Sequence, residues 1–367
     1  AFMSLVYQIA LTLLPGVGDI TAKKLVSYCG SVEAVFTEKY HRLLKIPGIG
    51  ELTAKSIASQ NVFARAEEEI AFIEKYKIQP LFYLEPEYPR RLKNCIDSPI
   101  MLYYKGNANL NTAHILSIVG TRRATNYGKD FTEQLIKALA SYNVLILSGL
   151  AFGVDTCAHR SALDNGLPTV GVLGHGLDRI YPVQNRNLAG RMVENGGLLT
   201  DFPSQTNPDR ENFPKRNRII AGGADATLVI ETGLRGGSLI TADIANSYNK
   251  DVFALPGRAD DEHSKGCNWL IKTNRAALCD SAEELINLMG WNLESKEPKA
   301  KKQRELFIQL TPEEELIVET LKATGDMPVD LLAEATALPA SKLAVAVLNL
   351  EFEGILKCMP GKVYKLI

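Results

Sequence analysis

Five stretches of this 367-residue sequence combine glycines, hydroxyls and arginines. They are Gly120-Thr121-Arg122, SGLAFGVD (148–155), GHGLDRIYPVQNR (174–186), RENFPKRNRIIAG (210–222) and TGLRGGSLITA (232–242). These residue types hold phosphate. Glycine lets a backbone approach closely, and free N–H groups at helix starts attract anions. Guanidinium groups such as those of Arg122 and Arg218 add charge-assisted hydrogen bonds. The usual nucleotide signatures are missing. There is no G-x-x-x-x-G-K-[ST], no G-x-G-x-x-G after the first strand-like run and no G-x-S-x-G, so a P-loop, an NAD site and a hydrolase elbow are all unsupported. Asp155, Asp178, Asp201, Asp225, Glu231 and Asp243 stand singly, as helix caps and arginine partners do.

The elements that position these stretches are short, β-branched apolar runs. They are ILSIVG (115–120), VLILSG (144–149), TVGVLG (169–174), GLLTDF (197–202), ATLVIE (226–231) and DVFALPG (251–257). Continuous apolar runs of this length suit strands buried on both faces, and amphipathic segments such as 126–142 fall between them. The alternation implies an α/β domain over 76–290 with a parallel, doubly wound sheet, whose ligands bind at the carboxyl ends of the strands. Four of the stretches follow strands, 210–222 precedes the fifth strand, and all are expected to gather on one edge.

Residues 1–75 contain an internal repeat. LLPGVGDITAKKLV (13–26) and KIPGIGELTAKSIA (45–58) align Pro15 with Pro47, Gly16 with Gly48, Gly18 with Gly50 and Lys23 with Lys55. Proline and two glycines make a tight turn between helices, and the pattern resembles a tandem helix-hairpin-helix unit. Two uses stand open, a grip on a DNA backbone through Lys23, Lys24 and Lys55, or packing. Residues 291–305 read as a polar linker. Residues 306–367 read as a winged-helix-like module, with helices at 311–323 (Thr311 as cap, Pro312 in the first turn), 328–335 and 340–353, then a hairpin turning at Pro360-Gly361. The helix that would read DNA, ASKLAVAVLNLEFEG, has one lysine and two glutamates. A groove reader needs more polar donors, so partner docking is the expected role.

Lys+Arg number 41 and Asp+Glu 42, giving a net charge of about −1. Any polyanion site must therefore be a local cluster on a neutral body. No run of 18 apolar residues is present, and the opening stretch is read as structural rather than as a secretory leader. Six dispersed cysteines without C-x-x-C suit reduced thiols in a cytoplasm. His263 and Cys267 do not complete a metal set, so neither metal nor other cofactor is expected.

Together, IVGTR (118–122), SGLAFGVD, LGHGLDRIYPVQNR (173–186), ENFPKRNRIIAG (211–222), RGGSLITA (235–242) and DVFALPG, in this order, resemble the DprA (Smf) family of bacterial DNA-processing proteins. The resemblance implies an extended Rossmann-like domain that binds single-stranded DNA without base specificity and has no catalysis. It implies protection of incoming strands, help in loading the RecA recombinase during natural transformation, and a homodimer. Carried over by motif, the DNA-binding residues are Gly120, Thr121, Arg122, Ser148, Gly149, Asn185, Arg186, Arg210, Phe213, Arg216, Asn217, Arg218, Gly236, Gly237, Ser238 and Thr241. Within this set, Arg122 and Arg210 are the phosphate cations and Phe213 the stacking platform, while Arg216 or Arg218 serves as a structural anchor. Val183 stands where some relatives carry lysine. Leu285 and Leu288 are candidate positions for the dimer face. The rival reading is a nucleotide phosphoribohydrolase, a Rossmann-type enzyme of the lysine-decarboxylase-like group. Its P-G-G-x-G-T-x-x-E hallmark would fall on 235–243, where both the second glycine step and the glutamate are lacking.

Overall fold

The structure is a computed structural model that describes residues 2–291, 310–359 and 362–366. Contacts divide the chain into a unit ending at residue 293 and a smaller unit beyond it. Apart from Trp291, the expected linker lies outside the described residues, as does the Pro360-Gly361 turn.

The larger unit begins with six helices: α1 (Phe2–Leu13), α2 (Asp19–Cys29), α3 (Val32–Thr37), α4 (Tyr40–Leu43), α5 (Glu51–Ala58) and α6 (Phe63–Tyr76). The repeat forms the two turns that lead into α2 and α5. Gly16 and Gly48 have φ of 77° and 82°, a region that side chains disfavour, and Gly18 and Gly50 cap the helices in extended conformation. The helices bury Ile9, Leu11, Leu25, Val35, Leu43, Ile57 and Ile70. Their core runs on into Phe82, Met101 and Tyr103 of the neighbouring sheet. Each such side chain contributes ~1.5–3 kcal/mol on burial, so the helices are welded to the sheet edge.

The sheet contains β1 (Gln79–Phe82), β2 (Met101–Gly106), β3 (Ile115–Val119), β4 (Leu145–Ser148), β5 (Thr169–Val172), β6 (Gly196–Thr200), β7 (Ala226–Val229), β8 (Asp251–Ala254) and β9 (Ala277–Leu278). Among the described residues it has nine strands in the order β1-β2-β6-β5-β4-β3-β7-β8-β9. The pairs from β6 to β9 are parallel, as the sequence implies. At one edge two further strands, β1 and β2, extend this parallel sheet in antiparallel pairing. Helices α7 (Arg90–Lys93), α8 (Asn126–Leu139), α9 (Val154–Asp164), α10 (Arg186–Glu194), α11 (Asn212–Gly223), α12 (Gly237–Ser247), α13 (Lys265–Lys272) and α14 (Ala282–Leu288) connect the strands. From β3 the chain winds outward through β4, β5 and β6, then returns to place β7 on the other side of β3. The winding direction therefore reverses between β3 and β7, the crevice where such sheets bind ligands.

Two polar clamps add to the apolar joint between helices and sheet. Arg218 on α11 donates to Asp19 on α2 (2.9 Å), to Asp201 after β6 (2.8 Å) and to the Asp97 carbonyl (2.5 Å). Glu69 on α6, almost fully buried, accepts from the Ser204 amide (2.9 Å) and hydroxyl (2.5 Å) and pairs with Arg65 (2.8 Å).

The smaller unit packs α15 (Pro312–Thr324), α16 (Val329–Thr336) and α17 (Ala340–Phe352) with β10 (Met327–Pro328), β11 (Leu356–Met359) and β12 (Val363–Leu366), in sheet order β10-β12-β11. Thr311 and Glu314 form a reciprocal capping box at α15. Residues 327–328 pair with β12, so the helix expected from 328 starts at Val329. On α17, Val345, Leu348 and Phe352 are exposed.

Candidate nucleic-acid interface

The carboxyl ends of β3 and β7 open into a cleft of about 580 Å³. The turn after β3 supplies Gly120, Thr121, Arg122 and Arg123. The loop after β7 and the start of α12 supply Thr232, Arg235, Gly236, Gly237, Ser238 and Thr241. The start of α11 and the residue two before it supply Arg210, Phe213, Arg216 and Asn217. Eleven of the sixteen residues implied by the family resemblance thus line one cleft. The turn after β3 is pinned where the Thr121 amide donates to the Glu231 carbonyl (2.7 Å). A Cβ on Gly120 would lie 2.5 Å from Val154, so only glycine lets this turn lie against α9. Helix α12 starts at the cleft with no side-chain cap, leaving the Gly237 and Ser238 amides available while the Leu239 amide donates to the Gly236 carbonyl (3.2 Å), and the buried Ser238 hydroxyl beside them has no partner among the described residues.

The charges divide into free and engaged. Arg122, Arg210 and Arg235 are exposed, and none of them forms an ion pair among the described residues. The Arg122 guanidinium lies 5.8 Å from the centre of the Phe213 ring. Arg216 is buried, donates to the Val172 carbonyl and faces Asp155. Burial pushes the Asp155 carboxyl up to about 6, with Arg216 opposing; burial likewise lowers Arg216 to about 10, offset by Asp155. Beside Phe213 a recess of about 100 Å³ is lined by Val172, His175, Tyr181 and Arg216. Among the described residues, the buried His175 Nε2 and Arg216 Nε have no hydrogen-bond partner. Tyr181 lies 6.0 Å from Phe213.

Five of the named residues do not line this cleft. Ser148 is buried and donates to the Ile118 carbonyl (2.5 Å). Gly149 makes room for its neighbours, since a Cβ there would lie 2.5 Å from Asp155 Oδ2 and 2.7 Å from an Arg216 nitrogen. Asn185 donates to the Leu150 carbonyl (2.9 Å) and to the Thr156 hydroxyl (3.0 Å), tying the loop after β4 and helix α9 to the turn that leads into α10. Arg186 lines a separate groove with Phe72, Tyr76 and Lys105. Arg218 is held by the two carboxylates described above. Val183 is exposed away from the cleft. Sequence reasoning passed over Arg235, Arg123 and Tyr181. Arg235 had a signal, since it directly precedes the glycine pair that starts α12; Tyr181 had none, because its proximity to Phe213 is made by the fold.

At the hairpins, Lys23 donates to the Ser98 hydroxyl (2.7 Å) and the Ile96 carbonyl (3.2 Å), and burial lowers its pKa. Lys24 donates to the Pro47 carbonyl (2.9 Å), whereas Lys55 is exposed. The first turn is thus used for packing. Leu285, a candidate for a dimer face, is fully buried in the core under α8; only Leu288 of that pair is exposed.

Fold and cleft define a Rossmann-like α/β protein with a cationic, glycine-lined crevice at its topological switch point. The chain belongs to the DNA recombination-mediator protein A family, whose sequence model matches residues 79–290. A SAM-like tandem helix-hairpin-helix model matches 9–60, and the DprA winged-helix model matches 297–362. Protein Smf of Escherichia coli is 35% identical over 293 residues, covering 77% of each chain. Protein Smf of Synechocystis is 35% identical over 291 residues, covering 77% of this chain and 72% of the relative. The crystal structure of DNA processing protein A from Streptococcus pneumoniae superposes with a TM-score of 0.64 at 32% identity, over 77% of this chain and 97% of that one. The Helicobacter pylori homologue, described in terms of its single-stranded DNA binding mode, superposes with a TM-score of 0.53 at 30% identity, over 58% of this chain and 96% of that one.

Proposed function

We propose that this chain binds single-stranded DNA in the cleft between β3 and β7, and acts as a recombination mediator that shields incoming strands and helps load the RecA recombinase during natural transformation. The observation that carries this is the grouping in one cleft of three arginines without an ion pair among the described residues, Arg122, Arg210 and Arg235, with the Phe213 ring and one open helix start. Arg122, Arg210 and the α12 amides take phosphates, and Phe213 stacks a base of any identity. The binding mode described for the Helicobacter pylori homologue supports the reading. The phosphoribohydrolase alternative is disfavoured by Asp243, which stands where that chemistry needs its glutamate. Asp243 pairs with Arg275 at 2.8 Å and does not line the cleft. The protein works as a homodimer in the cytoplasm, and the exposed Leu278 and Leu288 offer an apolar contact for the second copy.

The test is fluorescence anisotropy of labelled oligothymidylate at several salt concentrations. Arg122→Ala should reduce the salt slope by ~0.7, the value of one phosphate contact on a single strand. Phe213→Ala should weaken binding by ~1–3 kcal/mol with the slope unchanged. Parent-like binding by both variants would sink the assignment.

A further inference from the structure

The cationic surface does not end at the cleft. Arg122 and Arg123 also line a second groove, of about 760 Å³, between α8 and α9. Its walls carry Lys129, Glu133 and Lys137 from α8 and Thr156, Arg160 and Asp164 from α9. Residues four apart share a helix face, so each helix turns one continuous row into the groove. Arg123, Lys129, Lys137 and Arg160 are exposed and form no ion pair among the described residues. Of the two acids, Asp164 is engaged by Arg191 at 2.7 Å, while Glu133 accepts from the Cys157 thiol (3.9 Å) and forms no ion pair among the described residues. On a chain with a net charge of about −1, this is a strong local excess of positive charge. Facing rows of unpaired cations repel one another, and an extended polyanion relieves that repulsion. Phe152, substantially exposed, lines both this groove and the recess beside Phe213, so the two sites share an aromatic lip as well as Arg122.

We propose that the α8–α9 groove is a second segment of the nucleic-acid track, which takes the phosphates of a single strand that has passed Arg122 and so sets the length of strand held. The inference rests on the cleft reading above. The α8 and α9 cations add phosphate contacts only when the strand is long enough to reach them.

The experiment uses the full chain and two oligothymidylates, of about 6 and about 24 nucleotides, which bracket the usual ~4–16-nucleotide site of such folds. The double variant Lys137→Gln/Arg160→Gln removes two contacts, which lowers the salt slope on the long probe by ~1.4. Scaled from ~1 M, where the ionic contribution vanishes, to ~0.1 M salt, that is about a 25-fold loss of affinity. The short probe should be unaffected. Glu133→Lys should raise affinity and slope on the long probe alone, a gain that a misfolded variant cannot imitate. Arg210→Ala, which touches only the cleft, should weaken both probes. Unchanged binding of the long probe by the double variant, or an equal loss on both probes, would overturn the groove while leaving the cleft standing. A parent that binds neither probe would overturn both.

Discussion

Arg218 separates two readings sharply. The family resemblance places it on DNA, whereas the structure surrounds it with Asp19, Asp201 and the Asp97 carbonyl. Its side chain is 18% exposed and that of Asp201 9%. Arg218→Met keeps much of the bulk and removes the charge, leaving two carboxylates facing each other with little water. Breaking a buried pair in this way costs ~3–5 kcal/mol. Unfolding ~290 residues carries an entropy of about 0.6 kcal/mol/K, so the midpoint of the larger unit should fall by ~5–8 °C. Burial already holds the Asp201 pKa above the usual carboxylate range, against the opposing charge of Arg218. Without Arg218 it rises further. A carboxyl whose folded pKa is raised costs stability when ionised, and that cost fades as pH falls through the folded value. The deficit of the variant should therefore shrink as the solution is acidified from neutral pH. Scanning calorimetry of the full chain measures it, with oligothymidylate affinity determined in parallel. An unchanged midpoint together with weakened DNA binding would refute the clamp and return Arg218 to the nucleic acid.

Three further outcomes follow from the same geometry. Burial pushes the Asp155 carboxyl up to about 6, and its ionised form opposes the charge of Arg216, so oligothymidylate affinity should rise as pH falls from 7.5 to 5.5. In Asp155→Asn that pH dependence should disappear; an unaltered profile in the variant would remove Asp155 as its source. Lys23→Glu sets a new carboxylate beside Asp19 and Asp97 and loses a hydrogen bond worth ~1 kcal/mol, so it should lower the melting midpoint, whereas Lys55→Glu, at an exposed site, should not. Gly120→Ala forces a contact with Val154 and should reduce both stability and oligothymidylate affinity, measured by melting and anisotropy.

How much of this was legible in the sequence depends on distance along the chain. The six central strands start or end within a residue or so of their β-branched runs, because burial on both faces writes itself locally as continuous apolar residues. The antiparallel edge was not legible. Gln79–Phe82 is a strand because it pairs with residues 101–104, and its four residues carry too little pattern alone. The Ala277–Leu278 strand is shorter still and exists only against β8. The cleft was readable as a set of motifs because each lies at a strand end. What could not be read was which arginine faces the cleft and which serves the interior. Arg216 and Arg218 are two residues apart on one helix, but their partners, Val172 and Asp155 for one, Asp19 and Asp201 for the other, come from remote segments. Leu285 and Leu288 show the same limit for apolar residues: both look surface-compatible on α14, and only packing under α8 buries the first.

The joint between the helical repeat and the sheet edge has a consequence for how the protein would search along a polymer. A module on a flexible tether samples a volume, and its second contact is governed by the effective concentration that the tether allows. Here the shared core, Arg218 and Glu69 remove that freedom. The distance from the exposed Lys55 hairpin to the cleft is therefore a fixed ruler, and any polymer that reached both would have to match that span.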